Sequence, residues 1–209
     1  MNSVNKRPKS LISQDLRALL RSAYRAKRQA LTSPQQNDAS KCLLTNCIES
    51  GLLKGLNKIA VYLANDGEID PKRLIYYAWE TGKQVYLPVI HPFNQQSLLF
   101  VEYHPTSNMR DNKYGIAEPL LECQKIAPIN TLDAIFTPLV AFDKLANRMG
   151  MGGGYYDRTF APLNKVTEQD PCPKVIGIAH DCQECPSIPI ASWDIPLHSI
   201  VTPTRILGC

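Results

Sequence analysis

With 209 residues, 44% of them apolar and 20% charged, the chain is the size of one compact α/β domain and long enough to bury a full core. No apolar run approaches the roughly 18–20 residues needed to cross a bilayer, which excludes a helical membrane span. The net charge of +4 is uneven: residues 1–28 carry eight basic side chains and one acidic one, and the remainder is net acidic, so an acidic ligand would meet its positive charge at the N-terminal segment.

Residues 1–10 are polar and basic without periodicity, and are expected to be a mobile lead-in to a single domain over 11–209. They lack the apolar core of a signal peptide, so the expected compartment is the cytosol. The seven cysteines, an odd number, are expected to stay free there. From Ser13 to about Leu31 the spacing predicts a helix. Its apolar arc is Leu16, Leu19, Leu20, Ala23 and Tyr24, with Arg17, Arg21, Arg25 and Arg28 on a separate stripe. Ser33-Pro34-Gln35-Gln36 reads as an N-cap, a proline at the first helical position and a capping-box glutamine, opening a second helix to about Leu53.

Lys58–Ala64 reads as a strand ended by the turn Asn65-Asp66-Gly67, and Asp70-Pro71 caps a helix reaching Thr81, where Gly82 stops it. Further strands are expected over Gln84–Ile90, Ser97–Tyr103, Asp133–Val140, Lys174–His180 and His198–Thr202, with irregular segments at 104–114, 122–131 and 163–173. Strands alternating with helices predict a three-layer α/β/α fold around a mostly parallel, Rossmann-like sheet.

The most informative stretch is Asn147-Arg148-Met149-Gly150-Met151-Gly152-Gly153-Gly154-Tyr155-Tyr156-Asp157-Arg158. Four of the eleven glycines lie within five positions. Glycine admits positive φ and lets a ligand reach the amide N–H groups. Such donors flanked by arginine suit phosphate, and a neighbouring carboxylate suits Mg²⁺. Gly154 is followed by Tyr155 rather than by Lys-Ser/Thr, which excludes a Walker loop, and Tyr155 also occupies the third glycine position of a dinucleotide fingerprint. Arg148 would bond phosphate oxygens and Asp157 would hold the metal. The competing reading is a glycine-rich turn between a strand and a helix. Tyr155 and Tyr156 either stack on a flat ring or anchor the following helix in the core.

Arg17, Arg21 and Arg25 place like charges four apart twice, a repulsion of about 0.2–0.5 kcal/mol each that an anionic partner would offset. A solvated basic face, intramolecular ion pairs and an RNA surface are the alternatives, although the stripe lacks interleaved aromatics beyond Tyr24. Glu68 sits past a strand end, where ligand sites of open α/β sheets lie. It could bond the donor edge of a heterocycle or be a solvated turn residue, and Asp194 is similarly open. His180, Cys182, Cys185 and His198 raise a zinc question, but no second close-spaced pair accompanies Cys182 and Cys185, which read as surface thiols.

From Ser13 to Thr202 the chain closely resembles the 5-formyltetrahydrofolate cyclo-ligase (5,10-methenyltetrahydrofolate synthetase) family. The resemblance rests on ordered blocks: the Arg-rich first helix, Tyr62-Leu63 through Glu68-Ile69, Val85-Tyr86-Leu87-Pro88, Ile116-Ala117-Glu118-Pro119, Thr137 to Asp143, the Arg148–Arg158 loop, and Trp193-Asp194-Ile195-Pro196-Leu197. It implies ATP- and Mg²⁺-dependent cyclisation of 5-formyltetrahydrofolate to 5,10-methenyltetrahydrofolate, with release of ADP and phosphate through an N5-iminium phosphate.

It also implies that Arg17 and Arg21 contact ATP together with Arg148, Met149, Gly150, Met151, Gly152, Gly153, Gly154, Tyr155 and Tyr156. By the same resemblance Leu63, Glu68, Gly152, Gly153 and Tyr155 face folate, Asp157 and Asp194 hold the metal, and Arg148, Tyr155 and Asp157 carry the chemistry. The expected partner is this small molecule, with neither membrane nor nucleic acid, acting on a monomer. One departure stands out: many members have lysine where this chain has Gly153, so Arg148 and the first-helix arginines must carry more of the phosphate charge.

Overall fold

The computed structural model describes residues 9–165 and 172–208. Its first helix, α1 (Lys9–Gln29), starts before the expected Ser13, and residues 1–8 of the expected lead-in lie outside the described residues. Its orientation departs from the apolar-arc expectation: of the arc, Tyr24 is buried with Leu20 packed beside it, and the rest turns outward. Leu19 is 68% exposed, and Leu16 and Ala23 also face out, whereas Arg17, Tyr24 and Arg28 form the buried face. A helix can bury its basic stripe only where acids and carbonyls meet it, and those partners come from the site described below.

The second helix, α2 (Ser33–Glu49), is capped one residue earlier than expected: Thr32 is the N-cap and Gln35 closes the capping box. It ends at Glu49, short of Leu53, because Gly51 (φ 72°) takes the left-handed conformation just past the end. Strand β1 (Lys58–Ala60) is shorter than expected, although the Val61 N–H still bonds the Tyr86 carbonyl at 2.9 Å. Helix α3 (Lys72–Glu80) buries Leu74, Ile75 and Ala78, and the Asp70 carboxylate accepts the Lys72 N–H at 2.9 Å.

Strands β2 (Gln84–Ile90) and β3 (Leu98–Glu102) follow. Then come β4 (Met109–Asp111) paired with β5 (Ala117–Pro119), β6 (Ile126–Ala127) and β7 (Ala134–Pro138). The hairpin β8 (Ala141–Phe142)/β9 (Arg148–Met149), helix α4 (Tyr155–Phe160), β10 (Lys174–Ile178), β11 (Ser199–Val201) and β12 (Ile206–Leu207) complete the order. Two segments expected to be irregular therefore carry short strands and 3₁₀ turns, and residues 166–171 of the third lie outside the described residues.

The main sheet has the order β12-β11-β10-β7-β1-β2-β3-β6. Its centre, β11 to β2, is parallel, but β3, β6 and β12 pair antiparallel. The α/β class stands, and the mostly parallel sheet is corrected to a mixed one. The seven residues between Ile90 and Leu98 are too few for a parallel crossover, so β2 and β3 close as a hairpin. Alternation sorts the core: Ile59, Phe136, Ile176 and Val201 pack with Leu43, Leu74 and Ile75, whereas Ala60, Ile135, Val175 and Ile200 pack with Phe142, Phe160 and Ile195. A third cluster joins Tyr24 of α1 to Met149, Cys185 and Ile188, so Cys185 is a core thiol and not a surface one.

Candidate active site

At the carboxyl ends of β1, β2 and β7 the chain leaves a cavity of about 460 Å³. Arg17, Arg21, Leu63, Glu68, Arg148, Gly150 to Gly154, Tyr155, Tyr156 and Asp157 all line it. Two other residues marked in the sequence do not. The Met149 side chain is fully buried in the third cluster. Asp194 lies behind Arg17 and does not line the cavity, although its neighbour Trp193 does.

The glycine loop is aimed by the β8/β9 hairpin. Buried Asp143 caps its turn, accepting the N–H groups of Leu145 at 3.0 Å and Asn147 at 3.2 Å, and it also binds Ile188 N–H at 3.1 Å. This rigid base places Arg148, only 4% exposed, against Asp157 in an ion pair. Burial lowers the Arg148 pKa, while Asp157 opposes that shift, and Nε has no hydrogen-bond partner among the described residues. An unpartnered buried donor is costly, and the guanidinium carbon lies 5.7 Å from the Tyr156 ring centre and 5.6 Å from that of Phe160. Gly152 (φ 100°) takes a conformation that side chains rarely adopt, and a Cβ there would stand 3.5 Å from the Arg21 guanidinium. Arg21 in turn donates to the Gly150 carbonyl at 2.9 Å.

The arginine stripe resolves into intramolecular pairs, one of the alternatives open from the sequence. Arg17 grips both oxygens of Asp194 at 2.6 and 2.9 Å and donates to Pro189 O at 2.6 Å. Asp194 also accepts Ala191 N–H at 2.8 Å, and although burial pushes the other way, these bonds hold its carboxyl below the usual range. Arg25 grips Asp66 at 2.7 and 2.9 Å, while Arg28 donates to the same carboxylate at 2.8 Å. The bonds from Arg25 and Arg28 hold Asp66 well below the carboxylate range.

Asp157 lines the cavity with one oxygen paired to Arg148. Asp194, the other carboxylate expected at the metal, lies outside the cavity lining and already accepts three hydrogen bonds. No group of three or more His, Cys, Asp or Glu able to hold a metal exists among the described residues, zinc included. Mg²⁺ does not need one, because phosphate oxygens and water complete its shell.

Glu68 lines the same cavity. Its side chain is 13% exposed, and burial pushes the carboxyl up to about 7 against the pull of Arg28. Tyr156 anchors α4 against Phe160 (5.5 Å between rings) and bonds Thr137, while still lining the cavity; burial raises its phenol. Tyr155 stands at the rim, 3.0 Å from the Tyr114 hydroxyl, whose hydrogen bond lowers the Tyr155 phenol, with Lys113 adding to the effect. Gly153 belongs with that ring: a Cβ would lie 3.0 Å from it, so a larger residue at this position would require Tyr155 to give way. Sequence reading did not assign Arg28, Tyr114 or Trp193. The Arg28 signal was its place on the stripe; those of Tyr114 and Trp193 were their adjacency to the Ile116 and Asp194 blocks.

His180, behind Arg28, is 3% exposed and bonds the Gly67 backbone. Burial and then Arg28 hold it down to about 4, from 6.5. A folded state that excludes the proton is stabilised above the unfolded value and loses that contribution as pH falls from 6.5 towards 4. His180→Gln is therefore expected to lose less stability than the parent over this window. Urea unfolding at a series of pH values checks it, and parallel acid losses in the two proteins would contradict it.

A family model described as the 5-formyltetrahydrofolate cyclo-ligase family matches residues 13–203. The chain belongs to this family. Two bacterial relatives, each named 5-formyltetrahydrofolate cyclo-ligase, are 42% identical to it. That of Escherichia coli (strain K12) aligns over 182 residues, 87% of this chain and 97% of its own, and that of Haemophilus influenzae over 185, 88% and 96%. The solved structure of Aquifex aeolicus 5,10-methenyltetrahydrofolate synthetase superposes with a TM-score of 0.77 at 26% identity, covering 92% of both chains. Membership of the 5-formyltetrahydrofolate cyclo-ligase family makes the protein a ligase, and residues of the sequence blocks that carry the resemblance line the cavity.

Proposed function

We propose that the protein converts 5-formyltetrahydrofolate to 5,10-methenyltetrahydrofolate, using ATP with Mg²⁺ and releasing ADP and phosphate. The observation that carries this reading is the one cavity lined both by the glycine loop with Arg148 and Arg21 and by Leu63 with the buried acid Glu68. An N-formyl amide is a poor electrophile, so ring closure needs its oxygen converted into a leaving group. The formyl oxygen attacks the γ-phosphorus and ADP departs, giving an N5-iminium phosphate. N10 then adds to the activated carbon, its proton is lost, and phosphate leaves as the second C–N bond is completed.

Phosphoryl transfer asks a protein for alignment and charge neutralisation more than for a nucleophile. Arg148 and Arg21, which line the cavity, would bind phosphate oxygens, and Gly150 to Gly154 would line the approach. Arg17 is fixed at the same wall by Asp194. Asp157 would hold Mg²⁺, which would supply positive charge to the phosphate oxygens when bound. Glu68 would accept the donor edge of the pterin as a carboxylate, with Leu63 packing beside it and Tyr155 closing the rim.

No helix among the described residues is long and apolar enough to cross a membrane. We infer a cytoplasmic enzyme, monomeric and needing no nucleic acid, built as one domain over 11–209. Purified protein with 5-formyltetrahydrofolate, ATP and Mg²⁺ is expected to develop methenyltetrahydrofolate absorbance, with one ADP formed per product. A flat trace from folded protein supplied with all three would sink the proposal.

A further inference from the structure

Arg28 is 0% exposed, yet it is not a residue of the proposed chemistry. Its guanidinium joins three segments of the cavity wall. Nε donates to Asp66 O at 2.9 Å and Nη2 to Asp66 Oδ2 at 2.8 Å; Nη1 donates to Leu139 O, past the end of β7, at 3.1 Å, and Nη2 reaches Met151 Sδ of the glycine loop at 3.7 Å. Nη1 also stands 3.7 Å from Glu68 Oε1. The turn it grips is demanding: Asp66 and Gly67 both take positive φ (53° and 75°), and a Cβ on Gly67 would meet the Arg28 carbonyl at 3.2 Å. Without the guanidinium, nothing in α1 but Arg25 and Gln29 would hold this turn.

We propose that Arg28 is a positioning residue that keeps the Glu68 turn and the glycine loop in register, and that faces Glu68 with a fixed positive charge. The proposal rests on the folate reading of Glu68 given above. Four ionisable groups face that carboxyl: Arg28 from α1, Tyr62 from the segment after β1, Tyr156 from α4, and Asp66 of its own turn. Arg28 favours the carboxylate and Asp66 opposes it, while backbone N–H of Asn65 binds Oε2 at 3.1 Å. His180 behind Arg28 is held neutral and adds no charge. The two neighbours thus act with opposite sign, which a purely mechanical clamp would not do.

The test is kcat/KM for 5-formyltetrahydrofolate across about pH 6 to 9, with KM for ATP measured in parallel. The parent is expected to gain kcat/KM with a midpoint near the Glu68 value of about 7. In Arg28→Met the midpoint moves up by about 1 unit, so at pH near 7 kcat/KM falls about five-fold more than it does at high pH. In Asp66→Asn it moves down. Arg28→Lys keeps the charge but not the fork of donors, so the midpoint stays while KM for the folate rises.

A uniform loss with an unmoved midpoint in Arg28→Met would show a merely structural role and overturn the proposal. If that variant does not fold, Asp66→Asn decides, and a midpoint unmoved or raised overturns it. Glu68→Gln separates the two readings. Full kcat/KM with the parent profile removes the folate role of Glu68 itself. Loss of activity and of pH dependence there, with Arg28 and Asp66 variants leaving the midpoint in place, removes only the role of Arg28.

Discussion

Asp157→Asn is expected to lower turnover about 10²–10³-fold, the usual loss when one element of a preorganised charge-stabilising site is removed. Its proposed partner in the reaction is Mg²⁺, so the apparent affinity for the metal should weaken together with kcat. From the sequence, such a variant is expected to lose far more activity than stability. The structure adds a second cost to that expectation. Asp157 also neutralises buried Arg148, and asparagine keeps an acceptor but removes the charge. A stability loss of about 1–3 kcal/mol should therefore accompany the kinetic one. Titrating Mg²⁺ in the folate assay beside a denaturation curve checks both. A variant with normal metal dependence and only a lowered melting temperature would reduce Asp157 to a structural counter-ion.

Arg148→Met should cost as much or more, with kcat/KM for ATP down about 10²–10³-fold. The reasoning is geometric. Arg148 is held by a two-residue strand, paired through Nη2 to Asp157, and left with an unpartnered Nε in a buried position. Lysine supplies a point charge without the planar fork, so Arg148→Lys is expected to recover little of the loss. Nucleotide binding measured without folate separates binding from chemistry. Unchanged ATP affinity in Arg148→Met would assign the phosphate contacts to Arg17 and Arg21 instead.

How far the chain could be read beforehand differed from element to element. Strand β2 fell on its expected bounds, because Gln84–Ile90 is apolar and β-branched and follows the helix-stopping Gly82. Helix α1 was recognised as a helix but not its orientation. Periodicity reports which residues share a face, and an apolar arc ordinarily faces in. Here the basic face is inward because Asp66, Glu68 and Asp194, distant in sequence, converge on it. The same limit applied to Asp194. Its neighbours in sequence cannot reveal that an arginine 177 positions away takes both its oxygens. Met149, flanked by loop residues, reads as part of the loop until the hairpin turns its side chain into the core.

By itself the sequence determined the α/β class, most helices and strands, the glycine loop as the stretch to examine and the family resemblance. These depend on short-range patterns: periodicity, caps, glycine spacing and the order of blocks. Only the tertiary structure decided which way the sheet edges run, that the basic face of α1 is buried, and that Glu68 lies in an environment able to raise its carboxyl to about 7. Those depend on which charges and carbonyls meet across long sequence separations, and on how much water their meeting excludes.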